Sequence, residues 1–116
     1  MDHPEFEKSK VHMLGEDVEY VSGSVVTRSI LSQNTGSVSL SSFDPGEIQA
    51  PKYSPFDHLI QIIEGEASIT IDEKLNTVMT GQAIIIPAHV KHWIKANKRF
   101  KMISTHIKSG YEDVSF

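Results

Sequence analysis

Apolar residues along this chain come in short bursts and not at helical spacing. The segments SVVTRSIL (24–31), VSLSSF (38–43), HLIQII (58–63), ASITI (67–71), AIII (83–86), HWIKA (92–96) and FKMISTHI (100–107) are rich in β-branched side chains and predict strands. Between them stand residues that turn a chain: Asn34 and Gly36, Asp44-Pro45-Gly46, Glu64-Gly65, Gly81, Pro87 and Asn97. Short strands so punctuated predict an all-β fold, a sandwich or a barrel. Ala67-Ser68-Ile69-Thr70-Ile71-Asp72 alternates strictly, which predicts one packed face and one wet face. AIII has no polar position and predicts a strand buried on both faces. Residues 1–20 carry no strong period and read as an N-terminal arm ahead of a single domain, 21–116.

Composition narrows the chemistry. A chain of 116 residues, 39% apolar, can bury one core without a disulfide or a structural metal. With no cysteine, disulfides, thiolate metal sites and a cysteine nucleophile are excluded. The start, MDHPEFEKSK, lacks a basic region followed by an apolar run, and no stretch nears the roughly 18 apolar residues of a membrane helix. A soluble, cytoplasmic protein with no membrane partner is the expectation. The formal net charge of -4 speaks against nucleic acid as a partner. The one basic cluster, KANKRFK (95–101), reads as a solvated turn between two strands. Nucleophile elbow, phosphate loop and paired carboxylates are all missing, so hydrolase and kinase chemistry have no support.

The punctuation has a specific layout. After Gly46 come five residues and Lys52, one and Ser54, three and His58, then six and Gly65. Fifteen residues later Gly81 opens a second series: five residues and Pro87, one and His89, two and His92, three and Ala96. This layout, with GEASITID and GQAIIIPAHVKH, resembles the two sequence motifs of the cupin superfamily. The resemblance covers Gly46 to Asn97, and the strand pattern extends it to roughly 24–108. It implies a small RmlC-like jelly-roll barrel of two antiparallel sheets.

In metal-binding cupins the first motif supplies His, His and Glu, and the second supplies one more His. At those positions this chain reads Lys52, Ser54, His58 and His92. Imidazole and carboxylate donors suit zinc, nickel, iron or manganese, whereas a charged lysine and a neutral serine do not. Regular alternation puts His58 on one face with Ile60 and Ile62, the face the resemblance turns inward. His58 can then be a core histidine, a metal ligand or a proton-handling group. His92, at the one ligand position kept, is expected to line the pocket. His106 shares a face with Met102 and Ser104, and if that face is interior a three-histidine site becomes available. His89, standing where the family writes glycine, is expected in an exposed loop. His3 and His12 are expected to be solvated, and Trp93 to serve packing or an oligomer contact.

Two functions follow. One is a barrel that binds a small molecule, anionic if Lys52 points its ammonium into the pocket, with candidate residues Lys52, His58, His92 and His106. The other is a divalent-metal enzyme of oxygenase or isomerase type, using His58 and His92 as metal ligands, joined by His106 if its face is interior. A homodimer is expected, with the arm and the strand near 24–32 offering an edge to a second copy.

Overall fold

The computed structural model describes residues 5–108; His3 and residues 109–116 lie outside the described part. Eight strands are described: β1 (Val25–Gln33), β2 (Gly36–Phe43), β3 (Ile48–Lys52), β4 (Asp57–Ile71), β5 (Lys74–Met79), β6 (Ala83–Ile86), β7 (His92–Lys95) and β8 (Phe100–Ile107). Every pairing is antiparallel. One sheet holds β1, β2, β8, the first half of β4 and β6; the other holds β3, β7, the second half of β4 and β5. The fold is thus all-β, a curled jelly-roll barrel, as expected.

β4 corrects one expectation. Glu64-Gly65 was expected to separate two strands, yet β4 runs unbroken for 15 residues and passes from the first sheet to the second. Gly65 makes that corner. Its φ is +89°, and a Cβ there would stand 2.3 Å from the Arg99 carbonyl oxygen. Only glycine permits both the left-handed backbone and the close approach of β8, so turn chemistry here bends a strand instead of ending it.

Two strands escaped the pattern. β3 contains Pro51 and pairs only with β7, an edge position where a proline costs no ladder bond. β5, KLNTVM, buries only Val78 and so shows little apolar signal. β6 is a further correction: it pairs with β4 alone, Ile86 is buried, and Ile85 is 65% exposed. Its run of isoleucines is therefore not enclosed on both faces.

The core lies between the sheets. Ile60 and Ile62 face it from the first half of β4, Ile69 from the second, and Ile94 from β7. Phe43 and Phe100 are directly paired across β2 and β8, and their rings stack at 4.5 Å. The arm packs on this barrel through polar contacts. Lys101, buried on β8, donates to the Gly15 carbonyl at 2.5 Å and lies 3.8 Å from Glu64, while the Ser42 hydroxyl donates to the Glu19 carbonyl at 2.7 Å. The basic cluster is thus split: Asn97, Lys98 and Arg99 are exposed as expected, but Lys101 is an interior anchor. Among the described residues no helix is long and apolar enough to cross a membrane.

Candidate ligand-binding site

Strand register assembles the site. His58 opens β4 and stands directly opposite His106 on β8. Directly paired residues project to the same face, so the inward turn of His58 carries His106 with it. The two rings lie 4.4 Å apart, tilted by 31°. His92 opens β7 in the other sheet, and its ring meets His58 edge-on at 5.1 Å. Lys52, the last residue of β3, is the register partner of His92. The structure therefore brings together all four residues marked in the sequence, with Lys52 at the exposed rim and the histidines inside.

Burial sets their charge. His58 is 3% exposed and His92 is fully buried. The pKa of His58 is pulled down to about 4, first by desolvation, then by repulsion from His106 and His92 when these take up protons and from the Lys52 ammonium, against an opposing effect of the Phe56 carbonyl. His92 is lowered by desolvation and by Lys52, opposed by the Val90 carbonyl. His106 is lowered by desolvation, then by Lys52, Lys108 and His92. All three rings are neutral at pH 7, and the Lys52 ammonium acts on each of them.

Two buried ring nitrogens have no hydrogen-bond partner among the described residues: Nδ1 of His58 and Nε2 of His92. Buried polar atoms in native folds are almost always paired, so two orphans in one cluster point to a molecule that completes them. Two more such atoms among the described residues are Asp17 Oδ2, in the arm, and Arg28 Nε, on β1 beneath it. There Arg28 donates to the Asp17 carbonyl at 2.7 Å and packs on the Phe6 ring at 4.5 Å, beside a cavity of about 360 Å³ whose lining includes Glu16 and Glu19. Arg28 is thereby engaged in holding the arm to β1.

The metal set of the family does not fit this cluster. Ser54 is tied into its own loop, its hydroxyl accepting from the Phe56 N–H at 3.2 Å and its carbonyl from the His89 N–H at 2.7 Å. Among the described residues no group of three or more His, Asp or Glu side chains is arranged to hold a metal ion. Lys52 would also repel a cation there.

His89 is exposed with φ +65°, a left-handed conformation that accounts for glycine at this position of the family pattern. His12 departs from its expected solvation: it is half-buried, packs on Phe6 at 4.8 Å and bonds the Glu7 carbonyl at 2.8 Å. Trp93 is half-buried on the face opposite His92 and takes no part in the site. Asp57 caps the loop before β7, accepting from the Ala88 N–H at 2.7 Å, and among the described residues Lys52 makes no ion pair. Sequence reasoning missed Phe56, whose ring meets His106 edge-on at 6.3 Å and carries the Lys108 ammonium 5.1 Å above it. No sequence signal distinguishes either residue.

Comparison with known proteins agrees with this architecture. No curated protein matches the chain. Among solved structures, it is similar to a protein of unknown function from Streptococcus pyogenes, 28% identical over 93% of this chain and 95% of that one, TM-score 0.85. A cupin superfamily protein from Desulfitobacterium hafniense is 25% identical over 91% of this chain and 97% of that one, TM-score 0.84. An RmlC-like cupin from Shewanella frigidimarina shares the fold at 19% identity over 92% of this chain and 97% of that one, TM-score 0.72. Residues 39–106, from β2 to His106 and so including every histidine of the site, match the Cupin domain family, and the chain belongs to it.

Proposed function

We propose that this cupin binds a small anionic molecule where Lys52 faces His58, His92 and His106. The observation that carries the reading is the lysine at a position the family gives to a metal-binding histidine, next to two orphaned ring nitrogens. The ammonium supplies the positive charge that a metal supplies elsewhere in the family, and the neutral rings add hydrogen bonds without a second charge to desolvate. The reading is one of ligand binding, carried by the Lys52 ammonium beside the histidine rings.

Titration calorimetry with small carboxylates tests the reading. Lys52→Met should weaken binding at least tenfold, about 1.4 kcal/mol, with the fold intact by circular dichroism. Equal affinity in the variant overturns it. Binding that emerges only after loading with zinc, nickel, iron or manganese also overturns it, in favour of a metal-dependent oxygenase or isomerase.

A further inference from the structure

Resting on the anion reading above, we infer that the ligand is a small hydroxy acid, whose hydroxyl donates to His92 Nε2 while its acidic group meets Lys52. The inference starts from the hydrogen bond on the other side of the His92 ring. Nδ1 lies 3.2 Å from the Val90 carbonyl oxygen, which can only accept, so the proton of this ring is on Nδ1. In a neutral imidazole the other nitrogen then carries a lone pair and no hydrogen. That nitrogen is buried and has no partner among the described residues.

A carboxylate oxygen is not that partner while the ring is neutral. It would bring lone pair against lone pair inside a poorly solvated site, and moving the proton to Nε2 would break the bond to Val90. The missing group is a donor. Lys52 calls for the opposite, an acceptor of negative charge. Lys52 and His92 are directly paired across β3 and β7, where Cβ atoms of partners stand roughly 5 Å apart. One small molecule with an anionic group and a hydroxyl on neighbouring carbons meets both demands. His58 Nδ1, on a ring centred 5.1 Å from that of His92, offers a second polar contact. A site built to accept from a hydroxyl discriminates against the analogue without one, because the buried acceptor is then left orphaned.

The experiment compares ligands that differ only in that hydroxyl, lactate against propionate and glycolate against acetate, by calorimetry on the full chain. The hydroxy acid of each pair should bind at least tenfold more tightly, and His92→Leu should bring the ratio close to one. In protein labelled with 15N-histidine, the His92 Nε2 resonance should shift with lactate and stay in place with propionate, a reading that decides the matter if His92→Leu fails to fold. Equal affinity within each pair, or a ratio kept in His92→Leu, overturns the hydroxy-acid inference and leaves the anion reading standing. No binding of any of the four at millimolar concentration overturns both.

Discussion

Acid should destabilise this protein through His58. The ring is buried, and its pKa falls from 6.5 in the unfolded chain to about 4 in the fold. Above pH 6.5 the ring is neutral in both states and contributes nothing to the pH dependence. Between pH 6.5 and 4 the unfolded chain takes up a proton that the folded chain refuses, so stability falls as pH falls, at up to about 1.4 kcal/mol per pH unit. Below pH 4 both states are protonated and the loss stops growing. Integrated from pH 7.5 to pH 5, the lowered pKa of His58 corresponds to about 2 kcal/mol. His92 and His106 are lowered as well and act in the same direction. The single tryptophan, Trp93, reports urea unfolding by fluorescence. His58→Leu should lose about 2 kcal/mol less than the natural chain between pH 7.5 and pH 5, in a buffer free of carboxylates. Equal losses in the two proteins would show that His58 titrates normally and refute the reasoning.

Gly65→Ala should destabilise by roughly 1–3 kcal/mol from backbone strain alone, and by more because its Cβ would meet Arg99 and Phe100; a urea midpoint unchanged from the natural chain would contradict the corner assigned to Gly65. Lys101→Met removes the donor to the Gly15 carbonyl, and hydrogen exchange should speed up across residues 13–20 while the core of β4 and β8 keeps its protection; uniform exchange changes would count against the anchor. A homodimer is proposed through β1, the last strand of its sheet, and the arm, whose Phe6 N–H donates to the Ile30 carbonyl. A monomer by light scattering at micromolar concentration would exclude it.

Much of the fold was legible because the signals that specify it are local. Alternation and β-branched content mark β1, β2, β7 and β8 within a few residues, and the spacing of glycines, prolines and histidines from Gly46 to Ala96 carries the family. What local signals lack is register. A period of two tells which residues share a face, but not which face is interior, until a strand is paired with its neighbours. So the sequence put His106 with Met102 and Ser104, and only the pairing of β8 with β2 and β4 turned that face inward and set His106 against His58. Long-range packing also decided the fate of Gly65. The same positive φ ends a strand in a free turn, and here, with β8 pressed against it, carries β4 around the corner. Lys101 reads as one charge in a basic cluster, and becomes a buried anchor because the arm, 86 residues earlier at Gly15, brings it a carbonyl. The sequence by itself determined six of the eight described strands, one of them as two pieces, with their shared faces and the residue types at the family positions. The tertiary structure decided which faces meet, because that depends on pairings between segments far apart in the chain, which no local pattern encodes.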